Sequence, residues 1–290
     1  MSREKVSQTR INLCYTISKK FVTVDEKGKP MKVIESDKNQ WIKRMRALEK
    51  RKYRLAFEQF VAEGRRFVEE AIASDVMVHV ILIAEGSEDK YQDLLESYDG
   101  PAFLVEPDIL EDSMATVNPQ DIAAIVSFPD WSEESWPVMD TVVVVDGVQD
   151  PGNLGSIIRT ALASGTKAVF CLKGTVDFSN KKVLRSTMGT IFKLPVYMIE
   201  DVEEIVHVLK KYGFQFIVAD ADGVDYDEAF ETLPENIALV VGNEGNGPSQ
   251  IEEYEQMVRI PLENGVESLN VGVATGVLLY EIHRRRKHQQ

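Results

Sequence analysis

The six residues 141–146, TVVVVD, constrain this chain more than any other stretch, because four consecutive valines cannot be divided between a dry face and a wet one. A β-branched run of this kind suits a strand covered on both sides, and such strands belong to largely parallel sheets with helices on each face. The neighbouring sequence agrees. A turn, GVQDPG, leads into a helical stretch over 154–164 in which Leu154, Ile157, Ile158, Ala161 and Leu162 share one face. Ser156 and Arg159 project from the other. Strand-like runs at 168–172, 216–219 and 237–241, with helical stretches at 181–186 and 202–212, complete an α/β succession.

At 290 residues there is room for a second domain. From residue 38 the pattern is helical, with Trp41, Ile42, Met45 and Leu48 on one side, which predicts one amphipathic basic helix. Strands at 57–61, 78–83, 102–105 and 123–126 then alternate with helices through Phe67, Val68, Ala71 and Ile72, at 90–98 and at 108–114. This predicts a small α/β unit over 37–126. The stretch SFPDWSEESWP reads as a linker over 127–138, ahead of a second domain over 139–290. Residues 1–36 alternate weakly around the turn-prone 25–30, as in a β-hairpin or a loosely attached arm.

No apolar run approaches the roughly 18 residues of a membrane span, and the opening MSREKVSQTR lacks the apolar core of a signal peptide, so a cytoplasmic protein with no membrane partner is expected. Cys14 and Cys171 are far apart, and the four histidines show no metal-ligand spacing. Reduced thiols and no metal are expected. The net charge of −14 argues against indiscriminate nucleic-acid binding. A local basic face remains open: Lys43, Arg44, Arg46, Lys50, Arg51, Lys52 and Arg54 crowd a segment whose only acid is Glu49. Such a run is either a phosphate-contacting face or a solvated helix surface, and 284–287 form a second basic cluster.

Open parallel sheets bind ligands beyond the carboxyl ends of their strands, where 146–153 and 242–247 both lie. Neither loop is a G-x-G-x-x-G fingerprint, and 147–152 lacks the Lys-Ser/Thr of a phosphate-binding loop, which disfavours a nicotinamide enzyme or an NTPase. A third loop ends in Ser268, Leu269 and Asn270, where the apolar run 271–282 begins, so polar groups stand at an expected helix start. Gly272 and Gly276, one helical turn apart, leave a groove for another backbone or a flat ligand.

Three stretches, DGVQDPGNLGSIIRTALASG (146–165), VGNEGNGPS (241–249) and RIPLENGVESLNVGVA (259–274), taken in this order, resemble the SpoU (TrmH-type) branch of the SPOUT RNA methyltransferases. FEQFVAEGRRFVEEAI (57–72) also looks like the start of the small substrate-binding domain, related to kink-turn-binding ribosomal proteins, that often precedes that catalytic domain. The resemblance covers about 38–283. It implies a deep trefoil knot in the C-terminal domain, a homodimer, S-adenosylmethionine bound in the knot, and RNA ribose 2′-hydroxyls as methyl acceptors.

Carried over position by position, the resemblance implies that Gly242, Asn243, Gly247, Ile260, Leu262, Ser268 and Leu269 hold the cofactor. It implies Arg159 near the target ribose, across the dimer interface. Asn153, Ser268 and Asn270 are expected to orient the reacting groups, Asn153 being alternatively the N-cap of its helix. Glu244 either orients the arginine, accepts a proton or caps a turn. Lys50, Arg51 and Lys52 are expected to meet RNA, while Arg185 is either a further contact or an exposed helix charge. Thr187 and Met188, standing before Gly189, depart from the small residues usual after that arginine. The implied function is 2′-O-methylation of ribosomal RNA, 23S RNA above all. The alternatives are a transfer-RNA methyltransferase, a base methyltransferase of this fold, or a non-catalytic RNA-binding or ribosome-assembly module.

Overall fold

The computed structural model describes residues 31–114, 119–131, 140–243 and 247–289. The expected hairpin or arm falls almost wholly in 1–30, and most of the expected linker in 132–139, both outside the described residues.

The first sheet holds β1 (Val33–Ile34), β2 (Gln59–Glu63), β3 (Val78–Ala84), β4 (Ala102–Val105) and β5 (Ile122–Ser127) in the order β1-β4-β3-β5-β2. β1, β4 and β3 run parallel, and β5 runs antiparallel to both β3 and β2. Val33 and Ile34, assigned from sequence to the N-terminal extension, instead pair with Leu104 and Val105. The first sheet therefore begins before residue 37.

The predicted single basic helix is two helices, α1 (Gln40–Leu48) and α2 (Arg51–Phe57), because Lys50 is extended between them. Arg54 accounts for the break. Its Nη1 donates to the carbonyls of Leu48 and Glu49, satisfying acceptors that a continuing helix would have used. The remaining helices of this half are α3 (Arg65–Ile72), α4 (Gln92–Glu96) and α5 (Pro107–Ser113).

The second sheet holds β6 (Thr141–Asp146), β7 (Ala168–Cys171), β8 (Val196–Met198), β9 (Phe214–Asp225), β10 (Asn236–Gly242) and β11 (Gln256–Arg259) in the order β11-β9-β10-β6-β7-β8. Every pairing in it is parallel. Its helices are α6 (Pro151–Ala163), α7 (Lys181–Thr187), α8 (Val202–Lys211), α9 (Tyr226–Ala229) and α10 (Val271–Gln289). The valine run is central and wholly buried. Val143 and Val145 face the layer containing Leu154, Ile157 and Leu278, while Val142 and Val144 face Ile205, Leu209 and Phe216. Each fully buried valine contributes about 1.5–3 kcal/mol, which is why this strand fixes the middle of the sheet.

One apolar core runs through both halves. Phe192 of the second half packs its ring 5.8 Å from Phe60 and 5.3 Å from Phe67, and Phe178 lies 5.5 Å from Phe128. Beside these rings Arg54, 8% exposed, donates from Nε to Ser179 Oγ at 2.9 Å and from Nη2 to Asp177 Oδ2 at 2.9 Å. Lys181 and Glu49 add an ion pair at 2.8 Å.

α10 crosses α6 at the two glycines. A Cβ on Gly272 would lie 3.3 Å from Ser156 Cβ, and one on Gly276 would lie 3.5 Å from Thr160 Cγ2. The groove left by this pair is filled by α6, through the Ser156 and Thr160 side chains. In the second basic cluster Arg284 and Arg285 pair with Glu281 of the same helix, while Arg285 donates to the Phe230 carbonyl at 2.9 Å and Arg286 pairs with Asp140 at 3.2 Å, which fastens α10 to its neighbours. No helix of the described residues is long and apolar enough to cross a membrane.

Candidate active site

The carboxyl ends of β9, β10 and β6 lie side by side in the sheet, and Asp146 ties the loop after β10 to the end of β6. Its buried carboxylate accepts the backbone N–H groups of Ser249 at 2.6 Å and Gln250 at 2.7 Å, and a further bond from the Gln250 amide. Three donors on one carboxylate compensate for its burial and draw 247–250 back over the end of β6. Gly242 is needed for the same fold-back: a Cβ there would collide with the backbone of Gly247 and Pro248. Its close approach is thus to its own loop, which then turns at Gly247 with φ +64°.

Beneath this loop lies a pocket of about 820 Å³ between β9, β10, β11 and α10. All seven residues expected to hold the cofactor line it: Gly242, Asn243, Gly247, Ile260, Leu262, Ser268 and Leu269. Val241, Val258, Val271 and Leu278 give it an apolar floor, and Asp220, Glu267 and Ser268 a polar edge. An apolar base with a few polar groups at the rim suits a ligand that is part aromatic and part charged.

Between the pocket-lining Leu269 and Val271, Asn270 caps α10. Its Oδ1 accepts the N–H groups of Gly272 at 3.0 Å and Val273 at 3.3 Å, and its Nδ2 donates to Asn153 Oδ1 at 2.8 Å. Asn153 is not the N-cap of its helix; Asp150 is, its Oδ1 accepting the Asn153 N–H at 2.9 Å. Pro151 at the first helical position moves the start of α6 three residues ahead of the apolar face. The Asn153 side chain is thereby released toward Asn270.

Arg159 lies elsewhere, more than a full turn further along α6. It is exposed, and among the described residues nothing pairs with its guanidinium; it lines a separate hollow of about 320 Å³ with Ser156, Thr160, Ala163, Ser186 and Tyr280. Arg185 is exposed on α7, which packs on α6 where Gly155 leaves room for Ser186. Lys50, Arg51 and Lys52 are exposed on the first half, with Arg51 3.6 Å from Asp177. Glu244 lies outside the described residues. Among the described residues no group of three or more His, Cys, Asp or Glu is arranged to hold a metal ion.

Sequence reasoning overlooks three residues that the structure brings into prominence. Asp146 and Gln250 form the clamp, and Asp220 stands at the pocket edge. An acid ending a wholly apolar strand is the available signal for Asp146. Arg54 is hidden among basic neighbours of identical chemistry.

With this geometry in view, two family profiles match the chain: the SpoU rRNA methylase family over residues 140–280, and the MRM3-like substrate binding domain over 39–124. A 23S rRNA (guanosine(2553)-2′-O)-methyltransferase of Bacillus subtilis is 37% identical over 255 residues, covering 87% of this chain and 99% of that protein. The chain belongs to the SpoU rRNA methylase family. Solved methyltransferase structures superpose on it along most of their length. An AdoMet-bound rRNA methyltransferase from Sinorhizobium meliloti gives a TM-score of 0.74 at 28% identity, covering 88% of this chain and 98% of that one. The SpoU methyltransferase AviRb from Streptomyces viridochromogenes, in complex with AdoMet, gives 0.78 at 25% identity, covering 86% and 99%. Both of these solved methyltransferases hold AdoMet.

Proposed function

We propose that this enzyme methylates a ribose 2′-hydroxyl of 23S ribosomal RNA, in the cytoplasm, as a homodimer. The observation that carries the reading is the convergence of three sequence-distant loops on one apolar-floored pocket, beside which Asn270, set between the pocket-lining Leu269 and Val271, bonds Asn153. S-adenosylmethionine, when bound, supplies an electrophilic methyl on a sulfonium. The residues of the chain must hold a ribose hydroxyl in line with it and ease loss of the proton; alignment alone is worth several kcal/mol. Gly242, Asn243, Gly247, Ile260, Leu262, Ser268 and Leu269 enclose the cofactor, and Asn153, Ser268 and Asn270 orient the reacting groups.

Arg159 is assigned the stabilisation of charge. A guanidinium stays protonated, with a pKa above roughly 12, so it serves as a fixed cation rather than a base. It grips the neighbouring phosphate and stabilises the developing alkoxide.

The distance of Arg159 from the cofactor pocket within one chain supports completion of the site by a second copy. Val273 and Tyr280, 54% and 50% exposed, share a face of α10 with Val277, and Tyr280 borders the Arg159 hollow. Two copies meeting on this face would bury it and bring Arg159 of one protomer toward the other's rim. The trefoil knot of the family belongs to the same reading. Lys50, Arg51, Lys52 and Arg185 are assigned to RNA phosphates, and the first half to recognition of folded RNA by shape and exposed loops.

The test is nucleoside-resolved mass spectrometry of 23S ribosomal RNA from cells with and without the gene. Loss of one 2′-O-methylated nucleotide, restored by the intact gene, supports the proposal. An unchanged 23S methylation map together with a missing transfer-RNA methyl group would redirect it to transfer RNA.

A further inference from the structure

The cofactor pocket contains a half-buried carboxylate to which the family motifs assign nothing. Asp220 lies on β9 and lines the pocket beside Gly242 and Gly247. One of its oxygens is fixed from within: Oδ1 accepts the N–H of Asp222 at 3.0 Å, which locks the side chain. The other, Oδ2, lies over the loop, 2.6 Å from the position a Cβ would take at residue 247. Glycine there serves the positive φ and also leaves room for this oxygen.

We propose that Asp220 binds the ribose diol of the cofactor's adenosine. The argument rests on the cofactor assignment and on the order of the strands. Asn153 follows β6 and meets Asn270, so the methyl group must be presented on the β6 side. β9 lies on the far side of β10 from β6. A ligand whose sulfonium faces the Asn153–Asn270 pair therefore extends its nucleoside end toward β9 and Asp220. An ionised carboxylate accepts hydrogen bonds only, and a vicinal diol offers two donors to it. The remaining pocket acid, Glu267, is on the exposed 261–268 loop.

The test is a calorimetric comparison of the full-length wild type and Asp220→Asn with three ligands: S-adenosylhomocysteine, 5′-methylthioadenosine, and 2′-deoxy-S-adenosylhomocysteine. The first two share the diol, the second lacks the amino-acid end, and the third lacks one hydroxyl. Asp220→Asn is expected to weaken the two diol ligands equally, by about tenfold, and to leave the 2′-deoxy ligand within about twofold. Wild type should itself lose about tenfold on removal of the 2′-hydroxyl. A penalty on S-adenosylhomocysteine that vanishes with 5′-methylthioadenosine would overturn the proposal in favour of a contact to the ammonium group. Equal penalties on all three ligands would reduce Asp220 to loop packing. Failure of wild type to bind S-adenosylhomocysteine at all would overturn the cofactor assignment instead.

Discussion

Asn270 donates from Nδ2 to Asn153 Oδ1 at 2.8 Å and so joins the first turns of two helices whose residues stand 117 positions apart. Only Asn270 is also a cap. The two partners are therefore separable by mutation. Asn270→Ala should cost about 1 kcal/mol of stability, whereas Asn153→Ala should change it by less than about 0.5 kcal/mol. Both should slow single-turnover methyl transfer by roughly 10- to 100-fold, because the reacting groups lose their alignment. Denaturant titration and quenched-flow transfer check this, and a full rate in Asn153→Ala removes the pair from the mechanism.

The basic segment contains two kinds of cation. Lys50, Arg51 and Lys52 are exposed, while Arg54 is buried in its contacts to Asp177 and Ser179. Replacing the first three by Gln should weaken RNA binding and flatten the slope of log affinity against log salt by about 0.7–0.9 for each phosphate no longer neutralised. Arg54→Gln should leave that slope unchanged and cost about 3 kcal/mol of stability, since Asp177 is left without its main partner. Filter binding across a salt series, with parallel melts, tells the two apart.

Gly276 and Gly272 predict opposite responses to one added methyl. At 276 the new Cβ would meet Thr160 at an ordinary 3.5 Å, so Gly276→Ala should gain roughly 0.5–1 kcal/mol of helix stability. At 272 it would press on Asn270 Oδ1 at 3.2 Å and Ser156 at 3.3 Å, so Gly272→Ala should lose stability. Thermal melts of both variants provide the measurement.

Glu281 holds Arg284 and Arg285 of its own helix in an acid-sensitive cluster. Hydrogen bonds from Arg284 and then Arg285 outweigh partial burial and lower its carboxyl to about 2. A folded-state pKa depressed in this way means that the stabilisation is complete above the unfolded value near ~4.3 and is lost as pH falls toward about 2. Glu281→Gln should thus melt below wild type at pH 7, by no more than about 1 kcal/mol given the solvent-screened Arg284, and the gap should close as pH approaches 2. A constant gap across that range would show that packing, not charge, is lost.

Which parts are legible in the sequence follows from how local their causes are. The 141–146 strand is stated by its own valines, and the helix face of Leu154, Ile157, Ile158 and Ala161 by its own spacing. β8 and β11 are not legible, because three- and four-residue edge strands exist only through pairing with β7 and β9. The reach of β9 to Asp225 is hidden for a similar reason. Gly223 looks like a terminator, yet it lets the chain pass against the backbone of Val258 where the register of β9 and β11 shifts. In the site, motif order locates the pocket-lining residues, whereas the Asp146 clamp, the Asp150 cap and the buried Arg54 depend on partners that no local pattern announces.

The most direct measurement is transfer of labelled methyl from S-adenosylmethionine to 23S ribosomal RNA isolated from cells lacking the gene, with wild type and Arg159→Ala side by side, followed by digestion to nucleosides. A 2′-O-methylated nucleoside formed by wild type, with the variant at least roughly 100-fold slower but equal in cofactor affinity, is the predicted result. Label on a base, or an Arg159→Ala rate equal to wild type, would contradict the account.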